Sequence, residues 1–156
     1  MNPLFTTSTL LTLEEYKRFN WAIVRWKRSI VISVICEFFM ISQAVFAHNL
    51  FATVFSILYP IFIAFTFVLS GRQIKKNYQS NKTVQNMEVI YHFYDSFLEE
   101  KNFTGCAKYE YNQLYKIRET KTNFYLMIAR NQAYILIKEN FPDGLAEFLR
   151  EKAKEL

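Results

Sequence analysis

The chain has 156 residues, enough for one domain of ordinary size but too few for two soluble domains once its apolar stretches are set aside. Its formal net charge is +5, and its mean hydropathy is close to zero because strongly apolar stretches alternate with polar ones. The two cysteines, Cys36 and Cys106, have no CxxC partner, and the two histidines lie at spacings unlike those of zinc or haem sites. We therefore predict no metal and no cofactor.

Residues 1–28 are predicted to form a cytoplasmic N-terminal segment that contains a strand and an amphipathic helix. Residues 4–10 are rich in Thr and apolar residues, which favours a short strand. We expect this strand to join the C-terminal sheet, because it needs a partner. Thr12 and Glu15 have the spacing of a capping box, so a helix is predicted to begin at Thr12 and lead towards the first apolar stretch.

Residues 29–70 are predicted to form a transmembrane hairpin. Two apolar stretches, residues 30–47 and 50–69, are each long enough to cross a bilayer as a helix. Only His48 and Asn49 separate them, as a tight antiparallel turn requires. A buried soluble helical pair and a signal peptide cleaved after residue 47 are the alternatives. A retained hairpin explains more of the pattern, because a second apolar stretch follows at once.

Lysine and arginine residues flank both apolar stretches, whereas the turn between them has none. They are Lys17, Arg18, Arg25, Lys27 and Arg28 before the first stretch, and Arg72, Lys75, Lys76 and Lys82 after the second. By the positive-inside rule, a multi-pass protein with both termini in the cytoplasm is predicted. All of these cations except Lys82 are also candidate contacts for anionic lipid headgroups. The alternative is that they only set the topology.

Glu37 is an ionisable residue near the middle of the first predicted span. Such groups are costly in a bilayer and can mark a pathway for protons or ions. Pro60 cannot donate to the carbonyl of Ser56, so a protonated Glu37 could donate to that carbonyl or meet the Tyr59 hydroxyl. We favour this structural role over transport, because neither span contains a basic partner.

Residues 71–82 are predicted to continue the second helix as a juxtamembrane segment, and residues 83–156 to form a β-rich cytoplasmic domain. Apolar and polar residues alternate from Met87 to Tyr94 as in a strand. Five further strands are predicted at residues 96–101, 104–111, 114–120, 123–129 and 133–138. They form an antiparallel meander, either a small sheet or a partial barrel. A C-terminal helix with Asp143 as its N-cap closes the domain, which makes the fold class α+β.

The residues from Tyr115 to Thr120, Asn123 to Leu126 and Ala133 to Lys138 resemble the YcxB-like family. The opening LTLEEYKRF, at residues 11–19, is similar to the start of that family as well. The resemblance implies a small protein of the bacterial inner membrane with two spans and a C-terminal domain like bacterial pleckstrin-homology (PH) modules. Ile137 is a departure, because the family commonly has proline before the lysine. The resemblance implies an architecture and no biochemical activity.

The sequence contains no constellation that indicates an enzyme. It has three glycines, no phosphate-binding loop and no nucleophile motif. We expect a membrane-tethered cytoplasmic interaction module, with the lipid bilayer and a protein partner or second copy as its partners. An accessory subunit of a transport or channel assembly, acting through Glu37, is the alternative. Nucleic acid is not expected, because the cations lie at membrane edges rather than on a patch with stacking aromatics.

Overall fold

The computed structural model describes residues 2–23 and 26–156, and at positions 26–28 it describes the backbone alone. The chain forms two compact units. The mixed unit contains the described residues up to Ile23 together with Tyr78–Leu156, and the helical unit lies within Val24–Asn77. The mixed unit is therefore built from both ends of the sequence.

The helical unit consists of two long apolar helices, which we number α2 and α3 in chain order. Helix α2 spans Trp26–Phe46 and α3 spans Leu50–Ser80, with the last three residues of α3 in the mixed unit. Stretches of mean hydropathy 2.0 in Ser29–Phe46 and 2.2 in Leu50–Ser80 make both helices long and apolar enough to cross a membrane. Their large apolar side chains are mostly exposed, which suits a lipid environment better than water.

A three-residue turn joins these helices, as the short predicted connection requires. His48 adopts a left-handed conformation with φ +47°. Asn49 then caps α3, since its side-chain oxygen accepts from the Ala52 N–H at 3.2 Å and its carbonyl accepts from the Thr53 N–H at 3.0 Å. These bonds satisfy backbone groups that would otherwise be unpaired at the start of an apolar helix.

The mixed unit contains two antiparallel sheets and two helices. Sheet A has the order β1-β2-β3-β4, and sheet B has the order β5-β6-β7. The strands are β1 (Phe5–Leu11), β2 (Met87–Phe93), β3 (Phe97–Asn102), β4 (Gly105–Glu110), β5 (Lys116–Glu119), β6 (Asn123–Ala129) and β7 (Gln132–Ile137). Helix α1 spans Leu13–Ile23 and α4 spans Leu145–Lys154. The predicted α+β class is confirmed, and the described strands do not close into a barrel.

Strand β1 pairs with β2 along its whole length, from Phe5 opposite Phe93 to Leu11 opposite Met87. The expectation that the N-terminal strand joins the C-terminal sheet is therefore confirmed. The predicted meander is divided into two sheets, because a short 3₁₀ helix at Tyr111–Gln113 separates β4 from β5. The main core lies between the sheets and α4. Its fully buried members include Phe93, Leu98, Leu126, Leu136 and Leu149.

The caps of α1 and α4 differ from those predicted. The Thr12 hydroxyl accepts from the Glu15 N–H at 3.3 Å, as in a capping box, but the Glu15 carboxylate turns to other partners. Asp143 was predicted to cap α4, and this prediction is wrong. Gly144 is the N-cap, with φ +87° and no side-chain capping bond, because the chain turns tightly after Pro142.

Candidate functional site

A groove of about 510 Å³ in the mixed unit is the candidate functional site. It lies between α1 and the β5–β6 hairpin. Its α1 wall consists of Glu14, Lys17, Arg18, Trp21 and Ala22, and its hairpin wall consists of Thr120, Lys121, Thr122 and Tyr125. Three cations, one carboxylate, three hydroxyl groups and two aromatic rings therefore line one open cleft. The groove brings together Lys17 and Arg18, two of the predicted lipid contacts.

Helix α1 presents different chemistry on its two faces. Phe19 lies in a buried cluster with Tyr125, Met127 and Ile135, and its ring centroid is 5.5 Å from that of Tyr125. Lys17 and Arg18 precede Phe19 by two positions and one position, so the helical spacing turns them away from that contact and into the groove wall. Packing of the apolar face of α1 thus determines where Lys17 and Arg18 lie.

A buried polar contact anchors α1 at the same place. The Glu15 side chain is almost fully buried, accepts from the Arg18 guanidinium, and also accepts from the side-chain amide of Asn123 at the start of β6. Asn123 is fully buried, and its other side-chain atom, Oδ1, has no hydrogen-bond partner among the described residues. A buried carboxylate is costly unless it is paired; Arg18 pairs with it within α1, and the bond from Asn123 holds α1 against β6.

The opposite wall of the groove is the turn between β5 and β6. The Thr120 hydroxyl and the Asn123 backbone close this turn with two hydrogen bonds of 2.9 and 3.1 Å. Lys121 is exposed at its tip and makes no ion pair with another described residue. Burial raises the pKa of the Tyr125 phenol beneath the turn, so this group stays neutral at physiological pH. Lys121 is the most available positive charge in the groove.

The arrangement suits an anionic group of modest size. Lys17 is held 3.0 Å from Glu14, and Arg18 is paired with Glu15, so both cations are already oriented. An anion entering the groove would meet those two cations from one side and Lys121 from the other. The groove contains no nucleophile beside a base, and the described residues contain no group of three or more His, Cys, Asp or Glu side chains that could hold a metal ion.

The remaining predicted lipid contacts are not part of this groove. Arg72, Lys75 and Lys76 are exposed on α3, and their spacing places them on one face of that helix. Arg25 lies outside the described residues, and so do the side chains of Lys27 and Arg28. Lipid contact by these residues stays a prediction.

The polar residues of the helical unit form a second, smaller arrangement. The Tyr59 hydroxyl donates to the Ser33 hydroxyl at 3.2 Å, and the Ser56 hydroxyl donates to the Thr53 carbonyl at 3.0 Å. One carboxylate oxygen of Glu37, Oε2, is buried and has no hydrogen-bond partner among the described residues. The predicted contact of Glu37 with Ser56 or Tyr59 stays a prediction.

A third polar cluster lies on the outer face of sheet A. The Cys106 thiol donates to the Glu99 carboxylate at 2.9 Å, and His92 stands opposite Glu99 on the next strand. The hydrogen bond to Glu99 raises the pKa of the Cys106 thiol. Because the thiolate is the reactive form of cysteine, this contact makes Cys106 less reactive than an ordinary exposed thiol.

The α1 wall of the groove contains residues that the sequence indicated, whereas the hairpin wall does not. Lys17 and Arg18 were identified as cations before an apolar stretch, which is a local signal. Lys121 lies between the strands predicted at residues 114–120 and 123–129, and it was given no role because it is about 100 positions away along the chain. The packing of Phe19 on Tyr125 and the contact of Glu15 with Asn123 bring the two walls together.

The family model described as YcxB-like protein matches residues 93–153. The match runs from the end of β2 through β3–β7 and into α4, and it includes the hairpin wall of the groove. No curated protein and no solved structure gives a match to the chain.

Proposed function

We propose that this protein is a membrane-tethered cytoplasmic interaction module, because residues 93–153 match the YcxB-like family model and two helices are long and apolar enough to cross a membrane. Its groove between α1 and the β5–β6 hairpin binds the headgroups of anionic lipids. The proposal assigns no enzymatic reaction, no cofactor and no nucleic-acid partner to the chain. The convergence of Lys17, Arg18 and Lys121 on one groove carries the proposal.

The pairing of β1 with β2 supports placing both ends of the chain in one compartment. Leu11 and Met87 stand opposite each other in sheet A, yet the two apolar helices lie between them in sequence. A sheet cannot form across a bilayer, so the chain must cross the membrane an even number of times between these residues. Two crossings and the positions of the flanking cations together favour a multi-pass protein of the bacterial inner membrane with both termini in the cytoplasm.

The position of the groove along the sequence supports a lipid as its ligand. Trp21 and Ala22 line the groove, and the first apolar stretch begins only seven positions after Ala22, at Ser29. Tryptophan is enriched where helices meet the headgroup layer. Anionic phosphate-bearing headgroups lie at that level of the cytoplasmic leaflet, and each nearby Lys or Arg can contribute about 1 kcal/mol to their attraction.

Lipid retention by the full-length protein tests the proposal. The protein is reconstituted into vesicles of phosphatidylcholine with a minor fraction of phosphatidylglycerol, and the lipids that stay bound after extraction are measured by native mass spectrometry. We expect enrichment of phosphatidylglycerol that survives moderate salt, and loss of this enrichment in the double variant Lys17→Gln/Lys121→Gln.

A charge-matched control separates the groove from general attraction. Lys116 and Lys154 are exposed and lie outside the groove, so Lys116→Gln/Lys154→Gln removes the same charge elsewhere in the mixed unit. We expect this control to retain phosphatidylglycerol like the unmodified protein. Equal loss in both double variants would show that only net charge matters and would refute the groove as a headgroup site.

The unpartnered oxygen of Glu37 favours a second candidate function, an accessory subunit of a transport or channel assembly. Two helices cannot enclose a pore, so several copies or a protein partner would have to place their carboxyl groups along one path. In vesicles that contain the assembled protein, Glu37→Gln should then change proton or ion flux. Unchanged flux and unchanged self-association would exclude this candidate.

A further inference from the structure

The loop between β3 and β4 carries the most exposed large apolar side chain of the mixed unit among the described residues. Phe103 is 73 % exposed, whereas Phe93 at the far end of β2 is fully buried. The loop contains only Phe103 and Thr104, because Asn102 and Gly105 are the last paired residues of the hairpin. A tip this short holds the phenyl ring out in front of the strands.

The turn at this tip is held by its own hydrogen bonds. The side-chain oxygen of Asn102 accepts from the Thr104 N–H at 2.8 Å, from the Gly105 N–H at 3.1 Å and from the Thr104 hydroxyl. Gly105 has φ +154°, a backbone conformation that residues with a side chain rarely adopt. The turn is therefore held by its own hydrogen bonds while the Phe103 ring stays exposed.

The register of sheet A shows at which end this tip lies. Lys101 of β3 stands opposite Ile90 of β2, so continuing the ladder places Phe103 level with Glu88, one position from the start of β2. Glu88 in turn is paired with Leu10, one position before the end of β1. The tip thus lies at the end of sheet A where the chain leaves β1 for α1 and where it returns to β2 after α3.

A second exposed apolar side chain marks the same end. Leu10 is 46 % exposed on the outer face of β1, beside the point where the chain leaves the sheet. The opposite end of sheet A carries the β2–β3 turn, whose tip residues Asp95 and Ser96 are polar and exposed. Leu4, next to Phe93 at that opposite end, is 56 % exposed, but of the two β-hairpin tips of sheet A only the β3–β4 tip carries an exposed large apolar side chain.

We propose that the β3–β4 hairpin tip is a lipid-insertion loop, with Phe103 entering the headgroup layer of the membrane in which the protein is anchored. This proposal rests on the membrane tethering stated under the proposed function, but not on headgroup selectivity. An apolar ring at a stiff tip gains free energy when it leaves water for the interface. Lys101 beside it is suited to contact lipid phosphates, as basic residues at interfaces do.

The test measures the lipid depth of single labelled positions in the full-length protein. In a background of Cys36→Ser/Cys106→Ser, Phe103→Cys and Ser96→Cys are each labelled with an environment-sensitive fluorophore and reconstituted into phosphatidylcholine vesicles. The vesicles also contain a lipid with a nitroxide quencher in the upper acyl chain. We expect a blue shift and strong quenching at position 103, and emission typical of water with weak quenching at position 96.

The outcomes separate this proposal from the proposed function. Equal emission and equal quenching at both positions, in a protein that has inserted into the vesicles, would overturn the insertion loop and leave the tethered module standing. Failure of the protein to partition into vesicles at all would overturn both. Because the vesicles contain no anionic lipid, loss of headgroup selectivity alone would not change the expected result.

Discussion

The substitution Asn123→Asp tests whether the buried contact between Glu15 and Asn123 holds α1 against β6. The change keeps the shape of the side chain but replaces the amide donor with a second carboxyl group. Both positions are buried, at 0 % exposure for Asn123 and 6 % for Glu15, so water cannot screen the pair. Two ionised carboxylates roughly 3 Å apart at an effective dielectric constant near 20 would repel by about 5 kcal/mol.

Uptake of one proton is the less costly outcome at neutral pH. Protonating a carboxyl group with an ordinary pKa near 4 costs about 4 kcal/mol at pH 7, and the protonated group can again donate a hydrogen bond. The folded variant then holds a proton that its unfolded chain does not, so its stability falls as the pH rises. We expect a loss of about 4 kcal/mol at pH 7 that shrinks by about 1.4 kcal/mol for each unit towards pH 4.

Unfolding of the full-length protein in a mild detergent, followed by near-ultraviolet circular dichroism between pH 5 and 8, measures this difference. Each variant is compared with the unmodified protein at the same pH, so that other titrations cancel. Asn123→Ala is the matched control, because it removes the donor without adding a charge, and it should cost about 1–3 kcal/mol at every pH. A pH-independent loss in Asn123→Asp, or no loss, would refute the reasoning.

Three further predictions concern single contacts in the mixed unit. Gly144→Ala should destabilise the protein by about 1–2 kcal/mol, because its φ of +87° strains any side chain, whereas Gly71→Ala within α3 should not lower the melting temperature. Glu99→Gln should speed the alkylation of Cys106 at pH 7, because a neutral acceptor replaces the charged carboxylate that raises the thiol pKa; mass spectrometry measures this rate, and an unchanged rate would exclude the contact in solution. Hydrogen bonds from Arg150 and Lys138 lower the pKa of Glu119 to about 2, so its stabilising contribution is complete above its unfolded pKa near 4.5 and is lost as the pH falls through about 2. Since the group is partly solvated, Glu119→Gln should cost only about 1 kcal/mol at pH 7 and nothing at pH 2 by chemical denaturation.

Local patterns were sufficient to predict most of the elements. The alternation of apolar and polar residues from Met87 onwards predicted the bounds of β2 to within one residue. The predicted bounds of β6 are those observed. The apolar stretches gave both long helices, because length and hydropathy are properties of contiguous residues. The extension of α3 to Ser80 was also predicted in outline, since residues 71–78 continue without a helix-breaking residue other than Gly71.

Features that depend on distant contacts were not predictable in the same way. The Glu15 carboxylate does not cap α1 as predicted, because it is buried and accepts hydrogen bonds from Arg18 and Asn123 instead. The division into two sheets follows from the 3₁₀ turn at Tyr111–Gln113, whose residues look like an ordinary strand end. The groove depends on both effects, so the sequence indicated its cations but not the cleft that they share.

The pairing of β1 with β2 also determines the order in which the protein can be made. Residues 5–11 leave the ribosome first, but their partner strand follows only after the two apolar helices have been synthesised. At ordinary translation speeds the roughly 75 intervening residues take about 4–15 s, during which β1 has no partner. Four of its seven residues are the polar residues Thr or Ser, so β1 is less prone to aggregate before its partner strand is made than a fully apolar strand would be. In the topology proposed above, folding of the mixed unit therefore follows membrane insertion, and a chain inserted with its ends on opposite sides could not complete sheet A.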